Sequence, residues 1–328
     1  EMGSICGGGR YDDLTGIFGM EGVSGVGVSF GADRIYDVME QLDRFPGQAV
    51  MDTRVLFVNF GEQEARYIFP ILDRLRDASN DHFGSDILVW PEAAIPGFYE
   101  RARSFLDPIA LRALAEETAV LTGIPSRGQD EGIHYNSIRV LGQGEGLYHK
   151  RRLVPFGEYV PLERWLRGLI EFFDLPMSTF SPGPAEQGPL QAGAFRVAPF
   201  ICYEIVYPDL VARGARESDL LITISNDSWF GKSIGPLQHL QIAQMRALET
   251  GRYLIRGTNH GVSAIIDHRG QIVSRTEQFV ETTLVGEAEV MLGLTPFSSF
   301  GSTPIIAGCA VGLLLMILMY LGFWRETD

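Results

Sequence analysis

Two hydrophobic periods alternate along the chain. Short runs that are apolar throughout, or at every second position, are separated by longer stretches with apolar residues three and four apart. These are the patterns of strands and of amphipathic helices. The glycine-rich "GVSGVGVSFG" (22–31) predicts a strand, and "ADRIYDVMEQLDRF" (32–45) a helix with Ile35, Val38, Met39 and Leu42 on one face. "RVLFVNFG" (54–61) predicts a strand apolar enough for burial on both faces, and "EQEARYIFPILDRLRDA" (62–78) a helix that Pro70 should kink or shorten. A second series follows. "DILVW" (86–90), "AVLTGIPS" (119–126), "GAFRVAPFICYE" (193–204) and "DLLITISND" (219–227) predict buried strands. So do "RYLIRGTN" (252–259), "VSAIIDH" (262–268) and "QIVSRTE" (271–277), the last two joined by the turn "DHRG". "IHYNSIRVLG" and "GLYHKRRLV" flank "QGEG" as a hairpin. Helices are expected over 107–119, with proline near the first turn, over the amphipathic "LERWLRGLIEFF" (162–173), and over 237–250, stopped by Gly251. Strands joined by helical crossovers imply an α/β fold whose sheet faces are covered by helices.

Composition narrows the reading. Of 328 residues 45% are hydrophobic and 21% charged, which is globular usage. The net charge of −14 opposes a nucleic-acid surface built on bulk charge. The 3 cysteines, Cys6, Cys202 and Cys309, lie far apart without metal-ligand spacing, so neither a disulfide framework nor a metal site is expected. The first residues lack the basic start and apolar segment of a secretory signal. The other end differs. No charge occurs between Glu289 and Arg325, and the apolar run over 303–324 is long enough to cross a bilayer. Tyr320, Phe323 and Trp324 near its end suit a membrane interface, and Arg325 favours a cytoplasmic C-terminus.

Three segments place reactive side chains at the ends of predicted strands, where α/β proteins gather their sites. Cys202 ends an apolar strand in "FICYE" and reads either as a buried thiol or as a nucleophile. Glu92, in "WPEAAIP", directly follows the strand 86–90 and reads as a turn carboxylate or a base. Lys150 lies in the predicted strand "GLYHKRRLV", ahead of Arg151 and Arg152, and is either part of a solvated basic patch or an oxyanion partner. Glu158 sits in the stiff turn "PFGEYVP".

Together, "WPEAAIP", "KRRLVPFGEYVP", "ICYE" and "NDSWFG" resemble the nitrilase superfamily, and within it the apolipoprotein N-acyltransferase branch, over about residues 84–328. The resemblance implies an α-β-β-α sandwich and a Glu–Lys–Cys triad. Glu92 would be the general base, Lys150 the oxyanion partner and Cys202 the nucleophile, with Glu158, Tyr203 and Glu204 in support. It implies no cofactor and no metal. The reaction would carry a fatty acyl chain from a phospholipid donor, through a cysteine thioester, to the diacylglyceryl-cysteine of a lipoprotein acceptor. The place implied is the bacterial inner membrane, with the catalytic domain on its outer side. A nitrilase-type amide hydrolase is the alternative on the same triad.

Residues 1–78 carry a different resemblance. "SICGGGRYDDLTGIFG" is similar to the histidine-binding glycine loop of histidyl-tRNA synthetase. "GVGVSFGADRIYDVM" is similar to a class II signature motif in which Arg34 would contact ATP. The chain is then expected to divide into a synthetase-like catalytic-core fragment at 1–53, a strand-helix from the start of the synthetase's anticodon-binding domain with the junction at 54–82, an acyltransferase domain at 83–289 and a transmembrane segment at 290–328. An inactive synthetase fragment fused to a partial acyltransferase is the second alternative.

Overall fold

The computed structural model describes residues 6–11, 25–30, 62–130, 132–155, 157–159 and 180–326, with side chains described between 71 and 317 within those stretches. Two compact units divide the chain, Glu1–Leu56 and Phe57–Asp328. In the first, β1 (Cys6–Tyr11) and β2 (Gly25–Phe30) pair antiparallel, Cys6 opposite Phe30. The glycine run expected as a loop is therefore a strand. Pairing along its whole length with a valine-containing partner offsets the entropic cost of extended glycine. The expected helix 32–45 with Arg34, the strand 54–61 and the helix 162–173 lie outside the described residues.

The second unit is a four-layer sandwich. Its smaller sheet has the order β3-β4-β5-β7, from β3 (Ile87–Val89), β4 (Ala119–Arg127), β5 (His134–Gly142) and β7 (Leu147–His149). The larger sheet runs β13-β12-β11-β10-β9-β8-β6. Its strands are β6 (Gly144–Glu145), β8 (Leu190–Ala192), β9 (Phe195–Ile201), β10 (Leu220–Asn226), β11 (Leu254–Asn259), β12 (Ala264–Ile266) and β13 (Ile272–Arg275). The middle three, β9, β10 and β11, are parallel, and Ile201, Asn226 and Asn259 end them at one edge. The "QGEG" turn does more than close a hairpin, because β6 leaves it to pair with β8 in the other sheet.

Apolar alternation assigns each strand residue to a layer. Leu121 and Ile138 meet Val197, Ile222 and Ile224 between the sheets. Phe200 and Leu221 turn the other way, onto α3 (Pro208–Arg216) and α4 (Gly235–Thr250). Trp90, Val120 and Ile124 pack against Leu106, Ile109 and Ala113 of α2 (Tyr99–Ala115) and Leu72 of α1 (Glu62–Ser79). The expected α-β-β-α sandwich is the fold observed.

Three expectations need correction. Helix α1 continues through Pro70, and α2 begins at Tyr99, so that Pro108 lies in its interior rather than its first turn. Burial of Leu106 and Ile109 on either side of Pro108 outweighs the missing N–H, as tertiary packing commonly does. The third concerns the membrane helix. Helix α6 (Thr303–Glu326) follows the short α5 (Pro296–Phe300), and its described apolar side chains, among them Ile305, Leu313 and Met316, are exposed. Among the described residues, however, no helix is long and apolar enough to cross a membrane.

Candidate active site

The sequence folds Glu92 onto the sheet edge by a close backbone approach. Trp90 N donates to Leu121 O at 2.8 Å and Ile95 N to Gly123 O at 3.2 Å, so the segment after β3 crosses β4 directly. A Cβ at Gly123 would stand 2.6 Å from Pro91 O and 2.8 Å from Glu92 Cα, which leaves glycine as the residue that fits. The turn passes through Ala93 at φ 53°, a left-handed conformation that non-glycine residues seldom adopt. Glu92 ends up only 6% exposed. Its Oε2 accepts from Asn226 N at 2.7 Å, its Oε1 from Asn136 Nδ2 at 2.8 Å, and its backbone carbonyl from Asn259 Nδ2 at 2.8 Å. Three asparagines on β5, β10 and β11 thus fix this residue, two at its carboxylate and one at its backbone carbonyl.

Lys150 directly follows β7 and is 1% exposed. Its backbone N–H extends the ladder to Asn136 O at 2.8 Å. The ammonium donates to Glu158 at 2.8 Å and to Glu92 Oε1 at 3.4 Å. Asn136 Nδ2 also reaches Glu158 Oε1 at 3.1 Å, and Val154 N donates to Glu158 Oε2 at 2.9 Å. Burial works against the Lys150 charge, but Glu92, Cys202 and Glu158 outweigh it and shift its pKa upward. A lysine between two carboxylates keeps its proton, which suits a fixed positive charge and not a base.

Cys202 closes the edge from the larger sheet. It follows β9 at φ 51°, so both Cys202 and the residue after Glu92 adopt the left-handed backbone conformation that collects at functional turns. Burial, then the Glu92 charge, pushes the thiol up to about 12, against the opposing pull of Lys150 and of a hydrogen bond with Ser225. At neutral pH the resting group is the thiol. Lys150 does favour the thiolate, as its type suggests, but burial and Glu92 override it.

Glu204 is fully buried. Its carboxylate accepts from Arg151 N at 2.7 Å, Ile201 N at 2.9 Å, Arg152 N at 3.2 Å and Tyr148 OH at 2.8 and 2.9 Å. It ties the backbone after Lys150 to the backbone before Cys202. Tyr203 lies edge-on to Tyr207, ring centres 5.3 Å apart, on the partly exposed side of the turn. Of the expected residues, then, Glu92, Lys150, Glu158, Cys202 and Glu204 converge, Tyr203 flanks them, and Arg34 lies outside the described residues.

Sequence reading missed Asn136, Asn259 and the buried set Ser225, Asp227, His239 and Arg256. Their signal was available: polar residues inside apolar strands, as in "LITISND" and "LIRGTN". Asp227 accepts from Arg256 Nη2 at 2.7 Å and Ser225 Oγ at 2.6 Å. Burial alone would raise its carboxyl, yet the His239 hydrogen bond and the Arg256 charge hold it below the ordinary value. Among the described residues no group of histidine, cysteine, aspartate and glutamate side chains is arranged to hold a metal ion.

A two-sheet sandwich with a glutamate, a lysine and a cysteine at this edge defines a class of α/β protein. The carbon-nitrogen hydrolase family matches residues 67–295, and the chain belongs to that family. More particularly, it is 51% identical over 238 residues to the apolipoprotein N-acyltransferase of Pseudomonas putida, covering 72% of this chain and 47% of the relative. The protein of the same description from Azotobacter vinelandii is 55% identical over 232 residues, covering 70% and 45%. The chain therefore spans about half the length of the curated relatives it matches. Among solved structures, Saccharomyces cerevisiae Nit3, of the nitrilase superfamily, aligns with a TM-score of 0.49 at 17% identity, over 68% of this chain and 84% of that one. The expected synthetase-like character of residues 1–78 is not borne out. The family match already begins at residue 67, inside α1, whose Leu72 belongs to the sandwich core.

Proposed function

We propose that this chain transfers a fatty acyl group from a phospholipid to the α-amine of a diacylglyceryl-cysteine, through a thioester on Cys202. The observation that carries the reading is the meeting of Glu92 and Lys150 at 3.4 Å, both buried, within electrostatic reach of a cysteine on a strained turn. Kinship at about half identity with apolipoprotein N-acyltransferases supports the substrate class.

The chemistry follows from the protonation states. With its pKa pushed up to about 12, the group rests as the thiol at neutral pH, so a base must take its proton as it attacks. Glu92 is that base. The sulfur adds to the ester carbonyl carbon, and the carbonyl oxygen becomes an oxyanion that the Lys150 ammonium stabilises. Collapse expels the lysophospholipid oxygen, which takes the proton back from Glu92 and leaves the thioester. The α-amine then adds to the thioester and gives a proton to Glu92. The C–S bond breaks and Cys202 leaves with that proton. Glu158 holds the Lys150 charge in place throughout.

A membrane location, with the catalytic domain outside the bacterial inner membrane, belongs to the same proposal. Its support is the exposed apolar surface of α6 between Ile305 and Ile317 and the uncharged sequence that continues from there to Trp324. Mass spectrometry after incubation with a diacyl phospholipid tests the reaction. A fatty acyl adduct on Cys202, discharged by a diacylglyceryl-cysteine peptide, is the expected result. Discharge to water alone would make the chain a hydrolase, and absence of the adduct would refute the reading.

A further inference from the structure

Behind Cys202 lies a second polar cluster that takes no part in the steps above. His239, in the first turns of α4, directs Nε2 at the backbone carbonyl of Cys202, 3.1 Å away. A carbonyl can only accept, so Nε2 carries the proton. The ring's other nitrogen, Nδ1, lies 3.0 Å from Asp227 Oδ1 and 3.1 Å from Arg256 Nη2. Asp227 in turn accepts from Arg256 and from Ser225, whose hydroxyl also bonds the Cys202 thiol. Asp227 and Arg256 are 0% and 1% exposed, so this ion pair sits in the interior, where hydrophobic residues would commonly serve stability as well. Gly261 keeps the space open, since a Cβ there would collide with the Asp227 carboxylate.

We propose that Arg256 and Asp227 orient His239 so that it locks the Cys202–Tyr203 peptide plane, and with it the direction of the Tyr203 N–H on which acylation through an oxyanion depends. The geometry of the peptide bond carries the argument. In a trans peptide the C=O and N–H point in opposite directions, so holding the Cys202 carbonyl toward α4 turns the Tyr203 N–H away from α4. Without an anchor, a residue at φ 51° would be free to relax toward commoner backbone conformations and take that N–H with it. The bond to His239 also polarises the peptide and strengthens the N–H as a donor. These are positioning residues, and the inference rests on Cys202 being the acylated nucleophile.

The test separates a reaction that builds an oxyanion from one that does not. Acylation of Cys202 by p-nitrophenyl acetate passes through an oxyanion, whereas alkylation by iodoacetamide needs only the sulfur. His239→Met fills the space without a donor. It is expected to slow acylation by about thirtyfold or more, in the range for loss of an oxyanion donor, and to leave alkylation within about threefold of the parent. His239→Gln, which can present an N–H, should recover acylation to within about fivefold of the parent. Acylation at the parent rate in His239→Met, or an equal fall in acylation and alkylation, overturns the lock. If His239→Met does not fold, Asp227→Asn keeps the volume and is expected to slow acylation alone by about tenfold, and unchanged acylation there overturns the proposal too. A parent whose Cys202 alkylates but accepts no acyl group refutes the acyl-transfer reading, and this inference with it. A parent acylated by the ester but not by phospholipid refutes only the choice of donor.

Discussion

Glu92 and Glu204 are two buried glutamates, one in the turn after β3 and the other in the turn after β9 that carries Cys202. Glu204 is saturated: three backbone N–H groups and the Tyr148 hydroxyl converge on its two oxygens. Its donors belong to the fold and do not change during a reaction. Glu92 is held just as firmly, by Asn226 N and Asn136 Nδ2, but its remaining neighbours are the ammonium of Lys150 and the thiol of Cys202. Burial is therefore a poor guide to the role of a carboxylate. What separates a brace from a base is whether every lone pair already has a fixed donor.

That contrast can be broken most sharply at the sulfur. Cys202→Ala is expected to abolish the acyl adduct completely while the thermal unfolding curve stays near the parent's. An acylated band surviving in this variant would remove the reactive side of the comparison altogether.

Glu92→Gln comes next. Acylation should fall about a hundredfold or more, the usual loss for a general base. The thiol should meanwhile become more acidic, because the Glu92 charge is among the groups that push it up to about 12. The pH profile of iodoacetamide alkylation should therefore shift to lower pH in this variant, opposite in sense to the loss of acylation. A shift to higher pH would mean that Glu92 is not charged beside the sulfur.

Lys150→Met leaves the buried Glu92 and the half-buried Glu158 without their cation, so about 3–5 kcal/mol of stability in urea unfolding should be lost along with acylation. Adding Glu158→Gln should restore part of that stability but none of the activity. Stability unaffected by the single change would show that the cluster is wetter than its exposure implies.

Glu204→Gln should cost about 1–3 kcal/mol, because an amide N–H₂ would face backbone donors, and acylation should suffer less than in Glu92→Gln. Burial raises the Glu204 pKa in the folded protein. The folded state then binds this proton more readily than the unfolded chain. In the parent, the stability linked to this proton is present at acid pH and is lost as pH rises from the unfolded carboxyl value through the raised folded one. The glutamine variant should lack that slope, and urea midpoints across the acid range would show it. The smallest effect belongs at the edge of the sandwich. Trp90→Phe removes the 3.0 Å bond from Nε1 to Ser79 Oγ, and its cost of about 1 kcal/mol would measure how firmly α1 is docked.

Local pattern carried the strand and helix order of the second unit because each strand's apolar positions match the layer they face. Val120 and Ile124 look to α2 while Leu121 looks to the facing sheet, and that alternation is written in consecutive residues. Strand ends likewise singled out Glu92, Lys150 and Cys202, and the family resemblance of the motifs added Glu158, Tyr203 and Glu204. Their division of labour was not legible, because it depends on donors distant in the chain. Asn226 reaches Glu92 across 134 positions, and Arg151 reaches Glu204 across 53. Nor could sequence show that α2 would absorb Pro108 or that the "QGEG" turn would lend β6 to the other sheet. Both follow from burial, which is settled only when the layers meet. The sequence by itself determined which residues could react, since that is a property of side-chain chemistry and of strand ends. The tertiary structure decided which of them are charged, braced or aimed, since desolvation and hydrogen bonding come from neighbours that only folding brings within reach.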